Sequence, residues 1–155
     1  MRPNYAFNAT PRKAPRSNRA KRPACVLRPY AAGFSLNREK EVAIYVNCPL
    51  DQLITWLNVL VGPLKESARV AETFFYQSSF GPVVVICVED HAFVDVCFYT
   101  HNSPWATHVD LGRQAARELG CVVRCEPGHY YPEVDPLSNV WLEINGDQER
   151  LISWE

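Results

Sequence analysis

Four histidines, His91, His101, His108 and His129, are the side chains in this chain best suited to moving protons, with Asp95, Asp110 and Cys97 as candidate helpers. A histidine beside a carboxylate is the minimum set for general acid–base work. None of the spacings here is one that only catalysis explains. His91 falls in a turn, His108 on a helix and His129 in a loop, where histidine is common without a task, so the expectation is a protein that is not an enzyme. A second constellation, Cys121-x3-Cys125-x3-His129 with His101 and His108 upstream, raises the question of zinc. Its spacing is poor, because Cys121 and Cys125 lie in a strand-like run and no CxxC knuckle is present. No metal and no cofactor are expected. A phosphate-binding loop, a GxSxG elbow, an HExxH pair and a dinucleotide fingerprint are all missing from the sequence.

A third set suits binding. Glu89, Asp90, Asp95, Glu126, Glu133 and Asp135 are interleaved, largely in turns and loops, with Tyr99, Trp105, Tyr130 and Tyr131. Negative potential speeds the encounter with a basic surface, and aromatic side chains anchor it after docking. Acidic loops also keep proteins soluble and strand aromatics fill cores, so each of these residues has a structural explanation beside the functional one.

The net charge of −1 hides a division along the chain. Residues 1–40 carry ten Lys or Arg against the single Glu39, whereas residues 41–155 carry six against sixteen Asp or Glu. The first stretch interleaves its cations with Pro3, Pro11, Pro15, Pro23 and Pro29. Such a composition buries too little surface to offset its ordering entropy, so residues 1–40 read as a basic, mostly disordered tail, disordered at least through residue 23. A nucleic-acid-binding arm, a solvated tail and a start codon placed too far upstream are all compatible with it. A transit peptide fits the arginines but not the prolines, which oppose an amphipathic helix.

Residues 41–155 have the size and apolar content for one acidic domain with one core. Their longest apolar stretches fall well short of the roughly 20 residues that cross a bilayer. Four of the six cysteines sit in apolar strand-like runs, where free thiols pack as small hydrophobes, so no disulfide framework is expected.

Periodicity supplies the elements. Residues 41–47 read as a strand, and Pro49 opens a helix whose apolar positions 50, 53, 54, 57, 60 and 61 share one face before Gly62-Pro63 stops it. Trp56 falls off that stripe, to cover the core edge or to meet a partner. Residues 68–78 read as one strand, and the β-branched run 82–88 as a strand buried on both faces near the centre of a sheet. In 93–99, Val94, Val96 and Phe98 take one face, leaving Phe93, Asp95, Cys97 and Tyr99 on a wetter one. Ser103-Pro104 predicts the start of a second helix running to Leu119, with Gly112 marking a close approach to the sheet. Residues 121–125 form a strand, a loop carries Glu126 to Ser138, and Asn145-Gly146-Asp147 predicts a closing hairpin. The expected fold is α+β: a largely antiparallel sheet of six to seven strands with two helices packed on it, in the order β-α-β-β-β-α-β-β-β.

Ser103-Pro104-Trp105-Ala106-Thr107 with Asp110, the run from Gly120 to Gly128, Tyr131-Pro132-Glu133-Val134, and the close Leu142-Glu143-Ile144 with Leu151-Ile152-Ser153-Trp154-Glu155 resemble small bacterial immunity proteins of polymorphic toxin systems. These are of the Rhs, type VI secretion or contact-dependent-inhibition kind. The resemblance covers roughly residues 41–155 and excludes the basic tail. It implies a cytoplasmic inhibitor that occludes a toxin domain in a one-to-one complex, and an acidic inhibitor suits a toxin with a basic surface, such as a nuclease. The alternative is a nucleic-acid-associated protein that uses the N-terminal arm.

Overall fold

The computed structural model describes residues 41–87, 92–100 and 102–154. The basic tail, the turn with Glu89, Asp90 and His91, and also His101 and Glu155 lie outside the described residues. The elements are β1 Glu41–Val46, α1 Leu50–Val61, β2 Lys65–Val70, β3 Thr73–Ser78, β4 Gly81–Cys87, β5 Val94–Tyr99, α2 His108–Leu119, β6 Val122–Cys125, one 3-10 turn Gly128–Tyr130, β7 Val140–Asn145 and β8 Gln148–Ser153. Every strand pairing is antiparallel, and the sheet runs β2-β3-β4-β5-β1-β6-β7-β8.

Among the described residues the α+β class and the two helices agree with the sequence reading, but the sheet has eight strands where six to seven are predicted. The single strand expected over 68–78 is a hairpin. The chain reverses at Ala71 and Glu72, between the paired residues Val70 and Thr73, and Ala71 takes a φ of 48° to do so. No glycine or asparagine marks this turn, and β2 is mostly polar, so neither usual signal is present. That polarity suits its place: Lys65, Glu66 and Arg69 discourage pairing with a foreign strand at the sheet edge.

The second helix also starts later than expected. Thr107, not Ser103, is its N-cap: the Thr107 hydroxyl oxygen accepts from the Asp110 backbone N–H at 3.1 Å. The Ser103 oxygen instead accepts from Trp105 N and shapes the approach to the helix. The other end agrees with the reading, since Gly120 takes a φ of 64° and its N–H reaches the Ala116 carbonyl.

Alternation divides each strand between two sheet faces. One face presents Val42, Ile44, Val46, Phe74, Tyr76, Val83, Val85, Val96, Phe98, Val123, Leu142 and Ile144, packed with Leu53, Leu57 and Val61 of α1 and Val109, Leu111, Ala115 and Ala116 of α2. Burying each Leu, Ile or Val contributes about 1.5–3 kcal/mol, which makes this layer the main source of stability. Gly112 lets α2 come down on β6 and β7, because a Cβ there would sit 3.0 Å from Ile144 Cδ1. Trp56 ties the helices together by donating from its indole N–H to Glu118 at 2.6 Å. Cys48, Cys87, Cys121 and Cys125 are free thiols. Cys97 is disulfide-bonded, against the expectation. No helix among the described residues is long and apolar enough to cross a membrane.

Candidate functional site

The opposite face of the sheet has no described helix on it, and the side chains suited to recognition gather there. The register places Glu41 beside Tyr99, Ala43 beside Cys97 and Tyr45 beside Asp95, so β1 and β5 bring acids and phenols into one patch. On the other side of β1, Tyr45 meets Arg124, Arg124 meets Glu143, and Glu143 meets Arg150 across β6, β7 and β8.

Rings roof the second part of this face. Tyr45, Trp141 and Trp154 meet edge to face, with centroids 4.9 to 5.3 Å apart. Phe93, just before β5, lies 5.4 Å from Trp154, just after β8. In a flat sheet those strands, four places apart in the order, would stand about 19 Å apart. The contact therefore requires this half of the sheet to coil, as twisted sheets do, and makes this face concave. The guanidinium of Arg124 stacks 4.3 Å from the Phe93 ring centroid and 4.7 Å from that of Trp154. It also donates two hydrogen bonds to Glu143, at 2.9 and 2.8 Å. Arg150 donates to the other Glu143 oxygen. Burial would raise the pKa of Glu143, but the hydrogen bonds from Arg150 and Arg124 outweigh it and hold the carboxyl below its ordinary value.

Beside the rings, β6 ends early. Its pairing with β1 covers Tyr45 and Val46 only, which leaves the Ala43 backbone without a strand partner on that side. His108, the first residue of α2, fills the gap: its Nδ1 lies 2.9 Å from the Ala43 N and 3.0 Å from the Ala43 O. Between the parted strands is a cavity of about 180 Å³ lined by Glu41, Ala43, Tyr45, His108, Glu126 and Trp141. A smaller recess of about 70 Å³ lies on the loop side of Trp141, with Glu126, Val134 and Asp135 in its wall.

The electrostatics of the patch are one-sided. Burial raises the pKa of Asp95 to about 7, and the charge of Glu41 adds to the rise. Glu41 is itself raised by burial, with Glu126 pushing the same way and His108 opposing. Tyr99 is pushed up to about 12 by burial and by Glu41 and Asp95. Tyr45 is raised by burial, Asp95, Glu126 and Glu41. Glu41 and Asp95 have no ion pair among the described residues. The arrangement suits the capture of a cation: carboxylates in low dielectric, rings around them, and a cavity that would take an arginine or lysine head.

The predicted binding residues do not all arrive at this place. Tyr99 and Glu126 do, Asp135 lines the adjoining recess, and Asp95 belongs to the same face but is buried, so it adds to the potential of the patch and not to direct contact. Tyr130, Tyr131 and Glu133 sit on the neighbouring loop. There Tyr130 donates to Asp110 at 2.9 Å under the guanidinium of Arg113, and Tyr131 donates to Glu149 at 2.8 Å. Trp105 is not a surface anchor. It is 5 % exposed, packed on Phe98, and its indole N–H donates to Gln114. Glu89 and Asp90 lie outside the described residues. Of the proton-transfer candidates, Asp110 is engaged with Thr107 and Tyr130, and His129 stacks on Tyr130.

The sequence reading missed Glu41, Tyr45, Phe93, Arg124, Trp141 and Trp154 as members of a site. A period-two signal was there: in Val140-Trp141-Leu142-Glu143-Ile144 the core positions Leu142 and Ile144 force Trp141 and Glu143 to the other face. No protein-family model matches the chain, and neither a curated protein nor a solved structure is significantly similar to it.

Proposed function

We propose that this protein is a non-enzymatic immunity protein that binds a cognate toxin domain and occludes its active surface through the sheet face opposite α1 and α2. One observation carries the reading. Glu41 and Glu126 line one cavity with Tyr45 and Trp141, next to a concave wall of rings, with Tyr99 beside Glu41 and Asp95 buried on the same face. A basic, protruding partner surface complements it in charge and shape. Glu133 and Asp135, exposed on the adjoining loop, extend the negative potential at its rim and steer the encounter. Neutralisation takes place in the cytoplasm of the producing cell.

The test is co-expression with the product of the gene immediately upstream, which this reading requires to be a toxin. Growth is restored by the full chain, and charge reversal at Glu41 and Glu126 weakens binding at least about tenfold per residue, or about 1.4 kcal/mol. Toxicity that persists with the intact chain, or affinity indifferent to both reversals and to salt, refutes the reading. Deleting residues 1–23 separates it from the nucleic-acid alternative: immunity survives the deletion, whereas affinity for nucleic acid and its salt slope would vanish.

A further inference from the structure

Cys48 and Cys121 stand at two strand-to-helix junctions, the first between β1 and α1, the second between α2 and β6. The β1–β6 register pairs Tyr45 with Arg124 and Val46 with Val123. The next step is fixed by Asn47, whose N–H donates to the Val122 carbonyl at 2.9 Å. One residue further, Cys48 faces Cys121. Hydrogen-bonded and non-bonded positions alternate along an antiparallel pair, so the cysteines occupy a non-bonded position, where Cα atoms are about 4.5 Å apart and side chains closest. Disulfides span Cα separations of about 4.4–6.8 Å. Both residues are half-buried at the margin of the core, and both are free thiols.

We propose that Cys48 and Cys121 are a redox couple that closes to a cross-strand disulfide in the presence of a small-molecule disulfide such as oxidised glutathione. Their proximity gives the two sulfurs different roles: each acts on the other so as to favour the thiolate at Cys121 and, with burial adding to the effect, the protonated thiol at Cys48. The Cys121 thiolate attacks one glutathione sulfur, breaking its S–S bond and releasing one glutathione thiolate. The Cys48 thiol then gives up its proton to that thiolate and attacks the Cys121 sulfur. The second glutathione leaves as thiolate and takes a proton from solvent, so two protein thiols are oxidised and one small disulfide is reduced to two thiols. Closure fastens the short seam between β1 and β6, where Tyr45 pairs with Arg124 and Val46 with Val123, beside the cavity that depends on where β1 and β6 part.

The test uses the full-length wild-type protein equilibrated across a series of oxidised-to-reduced glutathione ratios, alkylated, and mapped by mass spectrometry without reduction. The expected result is a linked peptide pair containing Cys48 and Cys121, a rise in thermal midpoint on oxidation, and reversal of both by a dithiol reductant. In C48S the mixed disulfide accumulates at Cys121 ahead of Cys87, whose thiol pKa is raised by burial. Wild-type protein in which both cysteines stay alkylatable at every ratio overturns the proposal, and so does accumulation at Cys87 ahead of Cys121 in C48S.

Discussion

Replacing Asp95 by Asn makes the protein more stable at alkaline pH, and the size of the gain follows from where the carboxyl sits. Asp95 is 4 % exposed, and its pKa rises from 3.8 to about 7 through burial, helped by the charge of Glu41. At about 1.36 kcal/mol per pH unit, that rise corresponds to about 4 kcal/mol of penalty when the group is fully ionised in the folded state. The direction is set by proton counts: between pH 4 and 7 the folded chain holds the Asp95 proton and the unfolded chain has released it, so stability falls as pH rises. Above about pH 7 the penalty is complete, and below pH 4 it is gone. Asn keeps the shape and carries no charge, so D95N gains about 2–4 kcal/mol over wild type at pH 8, with the difference closing toward pH 4. Urea unfolding at a series of pH values measures it. A variant no more stable than wild type at pH 8, or one whose gain is the same at pH 4, refutes the claim that an anionic carboxylate is held in this face against its own preference.

Glu143→Gln is destabilising by about 2–4 kcal/mol, because it leaves Arg124, 20 % exposed, without its charged acceptor, while Arg150, 73 % exposed, loses little. Its pH signature is opposite to that of Asp95. With the Glu143 pKa held below its ordinary 4.5, the contribution is fully present above that value and is lost as pH falls through the folded-state pKa, a loss that E143Q lacks in acid titration of stability. Gly112→Ala brings a Cβ to 3.0 Å from Ile144 Cδ1 and 3.4 Å from Cys125 Sγ, and costs about 1–2 kcal/mol after its helix-propensity gain; adding I144V recovers part of the loss in thermal unfolding.

What was legible in the sequence was whatever repeats with the period of its own element. The apolar stripe of α1 and the turn at Gly146 follow from local chemistry, and each stands in the structure where the residues put it; the wetter face expected of β5 does not, since Asp95 and Cys97 are buried as Val96 and Phe98 are. β2 was hidden because an edge strand needs little apolar content, and its turn rests on Ala71, which carries no turn signature. The start of α2 was misread because Ser103-Pro104 and Thr107 with Asp110 both resemble a helix opening, and only the second set of hydrogen bonds forms at the helix itself. The site was legible in part. Asp95 and Tyr99 fell on the correct face by alternation, but the meeting of Phe93 with Trp154 depends on the coil of the sheet, a property of five strands together that no single stretch encodes.

The same coil bears on why this face reads as an interface. A sheet with helices on one side needs nothing from the other except solubility, and alternating polar residues would supply it at no cost. Here that side instead carries Tyr45, Phe93, Trp141 and Trp154, and an ionisable Asp95 whose charge opposes folding at neutral pH. Asn or Ser would serve the fold better at that position. On the proposed role, a cation that the partner brings to Glu41 at the surface also acts on buried Asp95 beside it and reverses the sign of its contribution, since the low dielectric that penalises an isolated charge strengthens its attraction to a nearby opposite one. D95N is then more stable alone and weaker in complex, an opposition of signs that a purely structural aspartate does not produce.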